Sequence, residues 1–246
     1  MSKRKRSESA NVNGNGNNAS KENGSDVDII RKSKTKTRVT VTAKGENQKL
    51  LLKSIKENLV TIVAGPPGSG KTMLAVVSGL REFIMGKYDK MIFTRPCVEA
   101  AGENLGFLPG DLNEKIHPYM YPIFDFLSDY LTAKQIEGYI KAEKIITLPL
   151  AFQRGMTFRN SFVLLDEGQN TTPEQVRMFL TRIGENCKVV ITGDPLQTDI
   201  KSKNGLVDAC ERLEGVSGLG IVTLEAGDIV RNSIVAEIEG RYSAEK

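Results

Sequence analysis

The chain has 246 residues, 39% of them hydrophobic and 26% charged, a balance typical of a soluble globular protein. No apolar run approaches the roughly 18 residues that span a bilayer, which excludes a transmembrane helix and predicts no membrane partner. The basic start has no apolar stretch behind it, so a secretory signal is not expected. The three cysteines are far apart and lack metal-ligand spacing, which predicts reduced thiols in a cytoplasmic protein.

The positive charge of the chain is concentrated at its beginning. Residues 1–40 contain ten Lys/Arg and four Asp/Glu, whereas 41–246 contain 24 and 26. The first segment is rich in Asn, Ser and Gly and has no apolar periodicity, which predicts a disordered basic tail. The tail is either simply solvated or in contact with nucleic-acid phosphates, and its composition leaves both readings open.

The remaining residues, 41–246, alternate between short β-branched runs and helical stretches. The runs predict strands at 60–64, 90–94, 144–148, 161–165, 188–192 and 221–224. Helices are predicted at 71–85, at 114–141 with a break near Leu131, and at 173–183, 205–214 and 228–242. Thr172 to Gln175 has the pattern of a capping box, with proline at the first helical position.

This alternation predicts an α/β fold, in which a mostly parallel sheet lies between helices. The strands are nearly continuous apolar runs, as expected for strands covered on both faces. The stretch 95–118 is rich in Gly and Pro and too long for a simple connection, which indicates a functional loop.

The strongest motif follows the first predicted strand and opens the first predicted helix. It fits the phosphate-loop pattern G-x-x-x-x-G-K-[ST] at every fixed position. Its residues are Gly65, Pro66, Pro67, Gly68, Ser69, Gly70, Lys71 and Thr72. Glycines let backbone N–H groups converge on phosphate oxygens, and the helix N-terminus adds partial positive charge. Lys71 is predicted to reach the β- and γ-phosphates, and the Thr72 hydroxyl to ligate Mg²⁺.

Two acids end the fourth predicted strand, at the edge where ligands bind in such sheets. Asp166 is predicted to hold Mg²⁺ through water, and Glu167 to polarise the attacking water as a general base. Acids also end strands for solubility alone, but their combination with the phosphate loop favours function. The second acid favours hydrolysis over kinase chemistry, because a hydrolase must activate water.

Two further residues are candidates for the same site. Gln197 follows the fifth predicted strand and could hydrogen-bond the γ-phosphate or the attacking water; the alternative is a plain turn. Arg231 could stabilise charge on the transferring phosphoryl group as an arginine finger, or be an ordinary surface arginine.

Together these segments closely resemble the PhoH-like family of ATPases, which is related to the core of superfamily 1 helicases. The resemblance spans residues 45–242. It rests on the phosphate loop and on the segments Thr94-Arg-Pro96, Leu105-Gly-Phe-Leu-Pro-Gly-Asp111, Pro149-Leu-Ala-Phe-Gln-Arg-Gly155, Asp166-Glu-Gly-Gln-Asn170, Gly193-Asp-Pro-Leu-Gln197 and Asp228-Ile-Val-Arg-Asn232.

The resemblance implies one RecA-like P-loop NTPase domain, with ATP and Mg²⁺ as cofactors and RNA as the associated nucleic acid. It implies that Gln48 reads adenine, the alternative being an exposed glutamine. It also favours Arg231 as the arginine finger. Arg95 resembles a helicase residue that contacts single-stranded nucleic acid, the alternative being a structural salt bridge. Superfamily 1 helicases bind ATP between two lobes and this chain encodes one, so Arg231 either acts in its own subunit or reaches a neighbour's site. The simplest completion is a ring-shaped homo-oligomer such as a hexamer, with ATP at subunit boundaries.

The leading functional hypothesis is therefore an Mg²⁺-dependent ATPase coupled to single-stranded RNA or DNA, as a translocase or helicase-like motor. A second hypothesis is a nucleotide-controlled binding module that regulates a protein partner without translocation. A small-molecule kinase is a third, disfavoured by Glu167 and Gln197.

Overall fold

Six parallel strands form the single sheet of the computed structural model, which describes residues 39–96, 112–230 and 241, with backbone alone for 112–118. The strand order is β3-β2-β4-β5-β1-β6, and because all neighbours are parallel, no pair is joined by a simple hairpin. The strands are β1 (Val60–Ala64), β2 (Lys90–Arg95), β3 (Ile145–Pro149), β4 (Ser161–Leu165), β5 (Cys187–Gly193) and β6 (Leu219–Thr223). The predicted α/β class and all six predicted strands are confirmed: β1 and β4 have the predicted ends, and the ends of the other four differ by at most two residues.

Six α-helices accompany the sheet in the described part of the chain. They are α1 (Glu46–Glu57), α2 (Lys71–Ile84), α3 (Leu112–Ser128), α4 (Ala133–Lys141), α5 (Pro173–Leu180) and α6 (Gly205–Arg212). The predicted break near Leu131 is confirmed, since Thr132 caps α4 through a capping box with Gln135. The predicted capping box of Thr172 and Gln175 also begins α5.

The sheet separates two hydrophobic clusters, and alternate residues of each strand point to opposite sides. On one face Val63, Phe93 and Leu164 pack with α1 to α4. On the other face the strand residues pack with α5 and α6. Burial on both faces is what the continuous apolar runs predict.

Helix α2 packs closely against the sheet at Gly79. A Cβ atom added at Gly79 would overlap the ring of Phe162 on β4, and the Phe162 side chain is fully buried. The close approach fixes α2 against the sheet, and with it the phosphate loop at the start of that helix.

Several sequence predictions need correction or lie outside the described residues. Helix α1 was not predicted, because Gly45 at its N-cap gives no side-chain hydrogen bond and its first residues are polar. Helices α5 and α6 end two or three residues before the predicted ends. Of the predicted helix 228–242, Asp228 ends a 3₁₀ turn that begins at residue 226, residues 229 and 230 are not helical, residue 241 is helical, and residues 231–240 and 242 are outside the described part. Residues 1–38 of the predicted tail, residues 97–111 of the predicted loop and Arg231 also lie outside it, whereas residues 112–118 of that loop belong to α3.

Candidate functional site

The candidate site lies at one edge of the sheet, where the carboxyl ends of β4, β5 and β1 stand side by side. Ala64 at the end of β1 is in register with Gly193 at the end of β5, and Leu165 of β4 is in register with Ile191. Because the three strands are parallel neighbours, the segments that follow them meet at this edge. These segments are the phosphate loop, the Asp166–Glu167 pair and the turn containing Gln197.

The phosphate loop is shaped by two glycines with positive φ. Gly68 has φ 80° and Gly70 has φ 85°, a region that residues with a Cβ rarely adopt. The loop is closed internally, because the Ser69 hydroxyl donates to the Pro66 carbonyl at 2.7 Å and Lys71 Nζ donates to the same carbonyl at 3.0 Å. Lys71 is also the first residue of α2, so the positive end of the helix dipole faces the loop.

Gln48 supports the phosphate loop from α1. Its Nε2 donates to the Ser69 carbonyl at 2.9 Å, and its Oε1 accepts from the Lys44 backbone at 2.7 Å. The side chain is only 2% exposed, so the alternative of an ordinary exposed glutamine is wrong. These two contacts use the amide oxygen and one of the two amide N–H groups.

Asp166 is the most densely contacted carboxylate at this edge, and the residue is 1% exposed. Its Oδ1 accepts from the Thr72 hydroxyl at 2.8 Å and from the Thr192 hydroxyl at 2.5 Å. Its Oδ2 accepts from Arg95 Nε at 2.9 Å and also from Arg95 Nη2. The Arg95 side chain is therefore in a buried ion pair, the structural salt bridge that the sequence left as an alternative to nucleic-acid contact.

Glu167 is held beside Asp166 in a left-handed backbone conformation, with φ 57°. Gln169 Nε2 donates to Glu167 Oε2 at 2.7 Å, and Gln169 Oε1 accepts from the Asp194 backbone N–H at 3.0 Å. Gln169 is buried, whereas the Glu167 side chain is 46% exposed. The Glu167 carboxylate is thus open to solvent while Gln169 fixes one of its oxygens.

A cavity of about 340 Å³ opens next to the phosphate loop. It is lined by Lys44, Gln48, Gly68, Gly70, Lys71, Thr72, Met73, Phe126 and Val230. Its wall thus combines the phosphate-binding residues with apolar side chains, a composition common in small-molecule sites. Val230 also donates its backbone N–H to the Gly68 carbonyl at 3.1 Å, so the chain leading to Arg231 lies at the loop.

The family model described as PhoH-like protein matches residues 40–243. This chain belongs to the PhoH-like family. The resemblance seen in the sequence is confirmed by this match, which covers the whole described part of the chain apart from its first residue.

Curated relatives agree with the PhoH-like assignment. A PhoH-like protein of Bacillus subtilis is 45% identical over 201 residues, which are 81% of this chain and 63% of the relative. A PhoH-like protein of Synechocystis is 42% identical over 202 residues, 81% of this chain and 61% of the relative. Protein PhoH of Escherichia coli is 39% identical over 205 residues, 82% of this chain and 58% of the relative. The chain thus spans about three-fifths of the length of these relatives.

Solved structures resemble this PhoH-like protein more distantly. The large terminase of a thermophilic bacteriophage, solved with ADP, has a TM-score of 0.48 at 13% identity and covers 80% of this chain and 49% of its own. A SWI2/SNF2 ATPase core of Sulfolobus solfataricus, solved with double-stranded DNA, has a TM-score of 0.41 at 12% identity over 65% of this chain and 33% of its own. These likenesses are too low to carry information about function.

The predicted site residues of this PhoH-like protein are not all brought together. The phosphate loop, Gln48 and Asp166 are linked by direct hydrogen bonds, and Glu167 adjoins them. Gln197 is exposed on the turn after β5; within the described residues no hydrogen bond joins its side chain to Glu167 or to the loop. Arg231 lies outside the described residues.

Sequence reasoning missed two residues that shape this PhoH-like site. Thr192 lies near the end of β5 and contacts Asp166, and Gln169 contacts Glu167. Both stand in quoted motifs or beside them, so their position next to the acids was the available signal.

Within the described residues, the structure contains no helix long and apolar enough to cross a membrane.

Proposed function

We propose that this protein binds ATP with Mg²⁺ at the phosphate loop, hydrolyses it, and couples hydrolysis to single-stranded RNA or DNA as a translocase or helicase-like motor. The observation that carries the proposal is the 2.8 Å hydrogen bond between the Thr72 hydroxyl and Asp166 Oδ1. This contact brings the end of the phosphate loop to the acid that follows β4, the arrangement that phosphate-loop NTPases use for a metal-bound triphosphate.

The oxygen groups at this contact fit a magnesium ion. Mg²⁺ prefers hydroxyl, carboxylate and water oxygens, together with substrate phosphates, over a dedicated protein cage. Thr72 would ligate the ion and Asp166 would hold it through water. The ion, when bound, neutralises charge that develops on the β- and γ-phosphate oxygens.

The remaining groups divide the work of hydrolysis among them. Lys71 moves from the Pro66 carbonyl to the β- and γ-phosphates, exchanging a neutral acceptor for a charged one. Glu167 accepts a proton from the water that attacks the γ-phosphorus, while Gln169 holds its carboxylate in place. Gln197 reaches the γ-phosphate or this water, and the second amide N–H of Gln48 reads the adenine.

Arg231 completes the site by placing positive charge on the transferring phosphoryl group. Support comes from its neighbour Val230, which is bonded to Gly68 and lines the cavity. The arginine acts either on the site of its own subunit or, in a ring-shaped homo-oligomer with ATP at each boundary, on the site of an adjacent subunit. Residues 41–246 form the ATPase domain, residues 1–40 a basic tail, and the protein acts in the cytoplasm.

The test measures ATP hydrolysis by the purified protein with single-stranded RNA of increasing length, beside a Lys71→Ala variant. Turnover of the wild-type protein is expected to rise severalfold with RNA length, because a motor that translocates makes more steps on a longer strand. Lys71→Ala is expected to lower turnover to background at every length.

The outcome also separates the two functional hypotheses. Hydrolysis that depends on Lys71 but ignores RNA and DNA would contradict the motor and favour the module that regulates a protein partner. Hydrolysis that survives Lys71→Ala would contradict the phosphate-loop site itself.

A further inference from the structure

The Arg95 guanidinium joins two parts of the molecule. Its Nε and Nη2 donate to Asp166 Oδ2, and its Nη2 also lies 3.8 Å from Glu167 Oε1. Its third nitrogen, Nη1, donates to the Tyr119 carbonyl on α3 at 2.7 Å. The three nitrogens therefore link both acids of the site to the backbone of a helix.

The Arg95–Asp166 pair is almost out of reach of solvent. The exposed fraction of the side chain is 15% for Arg95 and 2% for Asp166. Attraction between charges at this distance is several-fold stronger at a partly buried site than in water, so the positive charge strongly affects any other cation at Asp166.

Arg95 and the proposed Mg²⁺ therefore depend on the same carboxylate. Thr72, the proposed Mg²⁺ ligand, donates to Asp166 Oδ1, so the proposed ion lies on the Oδ1 side of the carboxylate. Arg95 donates to Oδ2 on the other side. A divalent cation near Oδ1 draws negative charge away from Oδ2 and repels the guanidinium directly. Metal loading must therefore weaken the Arg95–Asp166 contact, just as Arg95 must weaken metal binding, because the coupling between two sites is reciprocal.

Helix α3 provides the other end of the connection. Pro122 lacks a backbone N–H, so the intrahelical ladder is interrupted close to Tyr119, whose carbonyl receives Arg95. A movement of the guanidinium changes the hydrogen bond that holds this segment of α3 to β2.

We propose that Arg95 is a positioning residue that competes with the divalent cation for Asp166 and transmits metal loading to helix α3 through the Tyr119 carbonyl. The inference rests on the proposed nucleotide site and adds a role that acts through Asp166. The two parts of this proposal depend on different properties of Arg95. Competition requires its positive charge, and transmission requires its planar guanidinium, which donates to two acceptors at once.

The experiment measures Mg²⁺ affinity and α3 movement in the full chain with Arg95, Arg95→Gln or Arg95→Lys. Affinity is measured by calorimetric titration of Mg²⁺ into the ADP-bound protein. Since the chain contains no tryptophan, Tyr121→Trp gives a single fluorescent probe on α3, at a residue 61% exposed. Met85→Trp, beyond the end of α2 and 63% exposed at the native residue, is the matched control probe.

Arg95→Gln is expected to bind Mg²⁺ about tenfold more tightly, because a competing charge close to the carboxylate has been removed. Arg95→Lys keeps the charge and is expected to retain wild-type affinity. On addition of Mg²⁺, the fluorescence of the α3 probe is expected to change only in the protein that retains Arg95. Neither Arg95→Gln nor Arg95→Lys is expected to show this change. Unchanged or weaker Mg²⁺ binding by Arg95→Gln would overturn the competition, and an α3 probe response equal in all three proteins would overturn the transmission.

Binding of ADP without Mg²⁺ reports separately on the proposed function. It is expected to be equal in the three proteins, since Arg95 contacts none of the loop residues that hold phosphate. Equal Mg²⁺ affinities in proteins that all bind ADP would refute the role of Arg95 and leave the nucleotide site intact. Thermal melting of each variant without ligand verifies folding, and Arg95→Lys provides the charge-conserving test if Arg95→Gln is unstable.

Discussion

At the scale of single residues, the two adjacent acids have opposite environments. Asp166 is buried and accepts from two hydroxyls and a guanidinium, whereas Glu167 is half exposed and held by Gln169. The first environment fixes a carboxylate in one orientation, and the second leaves a carboxylate open to solvent, as the proposed roles in cation binding and in activation of water require. Adjacent residues of one type are thus suited to different tasks.

Glu167→Gln is expected to separate nucleotide binding from hydrolysis. The substitution keeps the size of the side chain and removes its basicity, so turnover should fall by about 100-fold or more while ADP affinity stays near that of the wild type. Phosphate release and ADP titration are the measurements. A variant that hydrolyses ATP within a few-fold of the wild type would show that Glu167 is not the base.

At the residue scale, the sequence predicts which residues belong to the candidate site but not all of the contacts that they make. The identities of Lys71, Thr72 and Asp166 follow from motif and spacing, because a phosphate site requires those groups at the ends of strands. The contacts of Gln48 and Arg95 did not follow, since their partners include backbone atoms of Ser69, Lys44 and Tyr119. A backbone carbonyl has no signature in the sequence.

At the scale of elements, burial explains what was predictable. The central strands β1, β4 and β5 were found because both of their faces are covered, which gives unbroken apolar runs, and the half-buried edge strands β3 and β6 keep enough apolar residues to show the same pattern. Helix α1 was missed because it buries a narrow face that includes the polar residues Gln48 and Ser54. Helices α5 and α6 were placed correctly, but no residue pattern fixed their last turns.

Gly79→Ala tests how tightly α2 is seated on β4. The added methyl would overlap the buried Phe162 ring, and overpacking of this kind costs about 1–3 kcal/mol. We expect a lower midpoint in urea unfolding. Gly215→Ala is the matched comparison without a clash, since nothing lies within 4 Å of its added Cβ, although its φ of 79° adds backbone strain. A Gly79→Ala variant as stable as the wild type would contradict the close seating.

The start of α6 provides a prediction about pH. Asp208 accepts hydrogen bonds from Lys203 and from Arg212 Nε, and these contacts hold the pKa of its carboxyl below the ordinary value. A carboxyl with a lowered pKa stabilises the folded protein above the pKa of the unfolded chain, about 4, and this stability is lost as the pH falls through the folded pKa.

Asp208→Asn is accordingly expected to lower the melting temperature at pH 7, and the difference from the wild type should shrink as the pH falls below about 4. Thermal unfolding followed by circular dichroism at a series of pH values is the measurement. Asp129→Asn, at an exposed carboxylate on the other side of the sheet, is the control. A difference that does not vary with pH would rule out the ion pairs as its cause.

At the scale of the whole molecule, the question is whether one subunit contains a complete site. The chain that leads to Arg231 is bonded to the phosphate loop of its own subunit through Val230, whereas the proposed ring would place the arginine at a neighbour's ATP. A site shared between subunits has a consequence that a self-contained site lacks: two inactive variants can complement each other.

Mixing Lys71→Ala with Arg231→Ala is therefore expected to restore hydrolysis that neither variant has alone. In randomly mixed rings, about one quarter of the boundaries combine an intact Lys71 with an intact Arg231. Phosphate release at fixed total protein, with light scattering to verify mixed oligomers, is the measurement. Mixed oligomers without restored activity would place Arg231 in the site of its own subunit.

The position of β1 within the sheet has a consequence for how the protein is made. β1 comes early in the chain, yet its partners are β5 and β6, both well over a hundred residues further along. Such distant pairings are costly in loop-closure entropy and form slowly. During synthesis at about 5–20 residues per second, the strand that carries the phosphate loop therefore waits many seconds without either neighbour. The phosphate loop after β1 and the turn after β5, which meet at one edge of the sheet, are thus synthesised more than a hundred residues apart.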